Sequence, residues 1–282
     1  PCPLKFVSEF VRNCVHRPPK RRKMHADITE DLMQRKEITY GRLSMGSIAR
    51  AIRQGWAVFL QSRQVSIAYA MLFALIGLAI LTGIAQAGVT PMMLPLAGAF
   101  MLIGPTVLCG FFSIADRVAG KSPIRFGDVF AGFSHASRQI VAVALVCMLL
   151  LLIWLTDAAT LYGFMVGRTP VTLSGLLPPS DTVWAFILWS SMMGAALAFL
   201  IFAVSAFSIP LLYYRRVELV QAIMLSVRVV FGNFVPCITW AILLSAAIIV
   251  SILLLPLFLL AFPILAYASH ALYQEVFPQP AA

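Results

Sequence analysis

Charge is what this sequence has least of. Asp, Glu, Lys and Arg make up 11% of its 282 residues, while 61% are hydrophobic; soluble domains run at about a quarter charged and about half apolar. That shift, arranged in long uncharged blocks, excludes an ordinary soluble core and points to membrane spans. Cysteine is also sparse. Cys2, Cys14, Cys109, Cys147 and Cys237 form no CxxC pair, which excludes a disulfide framework or zinc site and leaves them as small hydrophobes. The sequence contains no HExxH, P-loop or GxSxG motif, and no pair of acids spaced for general acid–base work. No catalytic, cofactor-binding or metal-binding residue is therefore expected, no cofactor is implied, and the chain is not expected to be an enzyme. No cleavable signal peptide is expected either, because the first long apolar run starts only near Val65.

What is present is a series of charge-free blocks. One span needs about 20 residues, since a helix rises about 1.5 Å per residue and the hydrocarbon core is about 30 Å thick. Arg63 and Asp116 enclose 52 uncharged residues, which is room for two spans, about 65–87 and 91–113, turning at AGVTP (Ala87–Pro91). Arg138 to Asp157 encloses 18, a third span, and Asp181 to Arg215 encloses 33, a long fourth that bends before Pro210. Arg228 to Glu275 encloses 46, a fifth and sixth turning within Ser251–Pro256. Six spans place 20 of the 21 Lys and Arg on one side, with only Arg168 outside. By the positive-inside rule both termini are cytoplasmic. The net charge of +10 then reflects orientation and attraction to anionic lipid headgroups, and no nucleic-acid partner is expected.

Between these blocks lie stretches with a helical apolar stripe. In Ile48–Arg63 the stripe is Ile48, Ile52, Trp56, Phe59 and Leu60, opposite Arg50, Arg53, Gln54 and Gln61. In Val217–Phe231 it is Val217, Val220, Met224, Val227 and Phe231, and Gly127–Gln139 is a weaker case. Each reads as an amphipathic helix on the cytoplasmic face of the membrane. A unit of one surface helix and two spans thus recurs three times. Ala51-Ile52 with Gly55-Trp56, Asp128-Val129 with Gly132-Phe133, and Ala222-Ile223 with Ser226-Val227 are loose matches at unequal separations, and chance similarity stays equally open. The small residues Ala79, Gly83, Ala87 and Ser190, Gly194, Ala198 recur four apart and are expected to pack helices within the chain, with homo-oligomerisation as the other use. Gly104 and Pro105 in the second span, and Pro210 at the end of the fourth, are expected helix breaks.

The segments IGPTVLCGFFSIADRVAGK (Ile103–Lys121), VSAFSIPLLYYRRVELVQAIMLSVRVVFGNF (Val204–Phe234) and LPLFLLAFPILAYASHALYQEV (Leu255–Val276) resemble a proteobacterial family of predicted integral membrane proteins of unknown function, some of which carry a cytochrome c oxidase subunit label. The resemblance runs from about Ser47 to Val276 and implies a six-span inner-membrane protein. Tyr213 and Tyr214 stand where it implies an acidic residue. A haem–copper centre needs several imidazoles within the membrane, and of His16, His25, His135 and His270 only His270 lies near a span. A catalytic oxidase subunit is excluded, and an accessory one is not.

The expected organisation is a basic, disordered cytoplasmic segment at 1–46, a six-span all-α membrane domain at 47–276 and a short cytoplasmic tail at 277–282. Met24 opens a protein-like start, MHADITEDLMQ, so residues 1–23 are expected not to be native. Charge near a membrane needs a reason. Asp157 is read as an interfacial acid or a proton or cation site, Arg168 as its partner, a partner of Asp181 or a periplasmic cation, and His270 as an interfacial anchor or binding group. The function expected is that of a structural, accessory or assembly component of the bacterial inner membrane, with a membrane-protein partner or a second copy. The alternatives are a transporter or lipid-handling protein, or an accessory oxidase subunit.

Overall fold

The structure, a computed structural model, describes residues 40–134, 138–167 and 180–278, and among these it is all-helical, without a strand. Helix α1 is Met45–Gln86, followed by a 3₁₀ turn at Thr90–Met92 and α2 at Met93–Ala119. Then come α3 (Gly127–Ser134), α4 (Arg138–Met165), α5 (Asp181–Ser205) and α6 (Ser208–Tyr213), and finally α7 (Leu219–Gly232), α8 (Phe234–Leu253) and α9 (Leu255–Val276). Local chemistry sets the ends. Ser44 and Ser47 cap α1 reciprocally, each hydroxyl accepting the other's backbone N–H at 3.2 Å. Gly88, at φ 72, takes the left-handed turn that ends α1 in the expected AGVTP segment. Leu254, within the expected Ser251–Pro256 turn, separates α8 from α9.

Helix α4 shows why this chain needs a bilayer. Its stripe Ile140, Val143, Cys147, Leu151, Trp154, Ala158 and Tyr162 is buried. The other face is just as apolar, yet Val141, Leu145, Leu149 and Leu152 are each more than half exposed. A helix apolar all round and packed on one side only is soluble in hydrocarbon, not water.

The structure corrects the first expected surface helix. Residues 48–63 and the first span are one uninterrupted helix of 42 residues, about 63 Å long and twice the hydrocarbon thickness. Its expected membrane stripe is split. Ile48 and Phe59 are buried, whereas Trp56 and Leu60 are exposed. The reason is α9, which runs antiparallel to α1 and makes the most extensive helix contact among the described residues. At Gly55 the two backbones approach so closely that a Cβ would stand 2.6 Å from the Ile264 carbonyl oxygen and 2.8 Å from the Ala268 nitrogen.

That contact has two counterparts. A Cβ on Gly132 of α3 would run into the Cys109 carbonyl of α2. Ser226 of α7 donates its hydroxyl to the Ala203 carbonyl of α5 at 2.8 Å. Gly55, Gly132 and Ser226 are the matching positions of the three sequence units, and each meets a backbone carbonyl of the preceding span, taking the units in a ring. Cys109 and Ala203 stand equally far before Gly132 and Ser226. The loose sequence likeness is thus accompanied by one repeated contact, and at Gly55 and Gly132 a side chain has nowhere to go.

Ser226 also explains the bend before Pro210. In a continuous helix the Phe207 N–H would bond the Ala203 carbonyl. Here the Ser226 hydroxyl stands between them, accepting from Phe207 N at 3.2 Å while donating to Ala203 O. Pro210 has no N–H for the Ala206 carbonyl and its ring crowds that position, so the helix cannot run straight through. Replacing the fully buried Ser226 by alanine removes a partner from two backbone groups. The expected cost is about 1–3 kcal/mol, read as a lower thermal midpoint in detergent, with Ser226→Thr restoring part of it.

The two stripes of small residues part company. Ala79 and Gly83 of α1 and Ala87 just after it are all exposed, and a Cβ on Gly83 would meet nothing within 4 Å, so this stripe does not pack within the chain as expected. Gly194 of α5, by contrast, is buried against the ring of Trp154, with room for no Cβ.

Candidate functional site

Ionisable side chains gather at one end of the helices, where the last turns of α2 and α9 meet the chain just after α6. His270 of α9 is buried, and its Nε2 lies 2.7 Å from the Tyr214 hydroxyl. That hydroxyl in turn donates to Asp116 Oδ1 at 2.7 Å, and the carboxylate oxygen is 3.9 Å from His270 Nε2. One hydroxyl has one proton to give. With it committed to Asp116, His270 must donate from Nε2, and the bonds run His270 to Tyr214 to Asp116. Residues from three distant parts of the sequence are tied in one chain.

Aromatic rings enclose the network. Phe112 covers the imidazole at 5.2 Å between centroids, and Tyr214 stacks on Tyr273 at 5.6 Å with the rings parallel. The Arg216 guanidinium sits 5.8 Å from the other ring's centre, that of Tyr273, and donates to the Phe277 carbonyl at 3.0 Å. The Tyr273 hydroxyl is buried and has no hydrogen-bond partner among the described residues, so within them this residue contributes its ring. Burial raises the Asp116 carboxyl above the ordinary carboxylate range, and the Tyr214 hydrogen bond opposes the rise. Burial, then the Asp116 charge, holds the Tyr214 phenol far above its usual value, so Tyr214 stays protonated and is no nucleophile.

Two further ties flank the network. Arg117 pairs with Asp128 at 2.8 Å, whose other oxygen accepts Arg125 N at 2.8 Å, and Ser113 donates to the Asp128 carbonyl; together they fasten the start of α3 to the end of α2. Glu275 is held by Arg50 and by the Ser47 hydroxyl, and Gly41 N bonds the Val276 carbonyl at 2.8 Å, fastening α1 to the end of α9. Among the described residues no group of three or more His, Cys, Asp or Glu side chains forms a metal site. What the arrangement provides is a hydrogen-bond chain from His270 through Tyr214 to Asp116 that links α2, α9 and the chain just after α6.

Of the residues expected from the sequence, only His270 belongs to this cluster. Asp157 lies on the exposed side of α4 and has no hydrogen-bond or ion-pair partner among the described residues. Arg168 lies outside the described residues. Gly104 and Pro105 fall inside α2, which is helical from end to end, and Pro210 lies in α6 after the bend. Asp116 and Tyr214 are the members of this cluster that sequence reasoning passed over; the signal for Tyr214 was a tyrosine in place of an expected acid. No curated protein and no solved structure matches the chain. Among the described residues five helices are long and apolar enough to cross a bilayer, and residues 92–213, from the 3₁₀ turn to the end of α6, match the family described as predicted integral membrane protein (DUF2189), so that the chain is a multi-pass integral membrane protein.

Proposed function

We propose that this chain is a six-span protein of the bacterial inner membrane with both termini in the cytoplasm, acting as a non-enzymatic structural, accessory or assembly component. The observation that carries the role is how its polar groups are used. Asp116, Tyr214 and His270, and the Arg50–Glu275 pair, join elements distant in sequence, and the Arg117–Asp128 pair fastens the consecutive helices α2 and α3. Supporting the sixth span is α2, whose residues up to Ala115 carry no charge. Supporting a surface position for α7 is its outer face, where Val220, Met224 and Phe231 are exposed on a helix whose opposite side packs inward. The partner expected for such a component is another membrane protein or a second copy, on a bilayer with anionic headgroups.

Two measurements test this. Single-cysteine variants at Met165 and Pro278 are expected to label from the periplasm and from the cytoplasm respectively; labelling of position 278 from outside would overturn the topology. Asp157→Asn is expected to complement a deletion strain as well as the wild type does. Loss of complementation with normal expression and insertion would replace the structural role with an ion-coupled one.

A further inference from the structure

Helices α5 and α8 share neighbours but scarcely touch each other, and the gap between them is a groove of about 550 Å³. Small residues open it: Ala195 and Ala198 on α5, Ala241 and Ser245 on α8, with Phe262 and Leu265 of α9 also lining it. The Ser205 hydroxyl in its lining turns back on the Ile201 carbonyl at 2.7 Å and has no proton left to offer. We propose that this groove holds one acyl chain of a phospholipid drawn from the surrounding bilayer.

Size and chemistry separate this occupant from the alternatives. The groove follows α5 and the turn after it from Ala195 to Phe207, and α8 from Pro236 to Ile249, a rise of about 18 Å. That length is close to the depth of one leaflet, half of the hydrocarbon core's roughly 30 Å, which is the length one acyl chain spans. A polar solute would find almost no hydrogen-bonding wall. A chain already in lipid gains no hydrophobic free energy by moving in. It gains dispersion contacts with walls that would otherwise face a void, and the bilayer supplies it at high local concentration. The groove's far end is marked by Leu43, whose N–H bonds the Asn233 side chain at 2.9 Å. Arg42 precedes Leu43 and Arg228 lies just before Asn233, both exposed, placing cations where the phosphate of a tethered headgroup would lie.

The test uses the full chain in vesicles of phosphatidylethanolamine and phosphatidylglycerol carrying a diazirine midway along one acyl chain. After irradiation, peptides covering 195–207 and 236–249 are expected to carry at least fivefold more label than the lipid-facing α4 peptide containing Leu145 and Leu149. Ala241→Phe or Ser245→Leu should cut groove labelling at least fivefold and leave α4 labelling unchanged. The wild-type ratio needs no variant to fold. A ratio near one, cross-links joining α5 and α8 of two copies in place of lipid adducts, or labelling by a diazirine fatty acid but not by the phospholipid would each overturn the proposal.

Discussion

Gly55→Leu is expected to remove the folded protein from the membrane. A leucine there must enter the space of the Ile264 carbonyl and the Ala268 amide, which are backbone atoms joined in the ladder of α9 and cannot swing aside. Overpacking a core costs about 1–3 kcal/mol when side chains can adjust; against rigid backbone the penalty exceeds that range and is a large share of a total stability of about 5–15 kcal/mol. The glycines provide an internal scale. Gly55→Ala, whose Cβ already meets these backbone atoms, should cost at least about 3 kcal/mol. Gly194→Ala should cost less, because the obstacle is the Trp154 ring, which can tilt. Gly77→Ala and Gly83→Ala, with nothing within 4 Å of the new methyl, should be neutral or raise stability by up to about 1 kcal/mol. Thermal midpoints of the four alanine variants in one detergent check the ordering, and a Gly55→Leu protein that unfolds like the wild type would refute the close approach of α1 and α9.

The sequence made the helices legible because charge placement and apolar run length are one-dimensional signals. The turns at Ala87–Pro91 and around Leu254, the bend before Pro210 and the apolar outer face of Val220, Met224 and Phe231 could all be read from it. The continuity of α1 could not, because Arg50, Arg53 and Arg63 interrupt its apolar stretch and look like a boundary. Whether an amphipathic stripe meets lipid or another helix depends on what α9 brings to it, some two hundred residues later. The cluster was hidden for the same reason. Asp116 reads as the end of a span, Tyr214 as a headgroup anchor and His270 as a lone imidazole; only the packing of α2, α6 and α9 makes them one network. Ser226 shows the limit most clearly, since a single hydroxyl inside an apolar stripe gives no sign that it spans a broken hydrogen bond in another helix.

Breaking the network at Tyr214 should cost more than its one hydroxyl suggests. Tyr214→Phe keeps the ring stacked on Tyr273 but leaves a buried His270 nitrogen and the Asp116 carboxylate without their shared partner. The buried His270 nitrogen carries a desolvation cost of about 1–3 kcal/mol, whereas the Asp116 side chain, 41% exposed, is reached by water and carries little. His270→Leu removes one of those groups as well as the bond, so the double variant Tyr214→Phe/His270→Leu should be more stable than the sum of the single effects allows. The coupling energy is expected at about 1–2 kcal/mol, measured from unfolding midpoints of all four proteins; strict additivity would mean that the His–Tyr bond contributes nothing. Asp116 gives an independent check through pH. Its carboxyl is raised on folding, so the native state binds that proton more tightly than the unfolded chain does. The contribution is full below the ordinary carboxylate range and is lost as pH rises through the raised value. Asp116→Asn should flatten that part of the stability–pH curve.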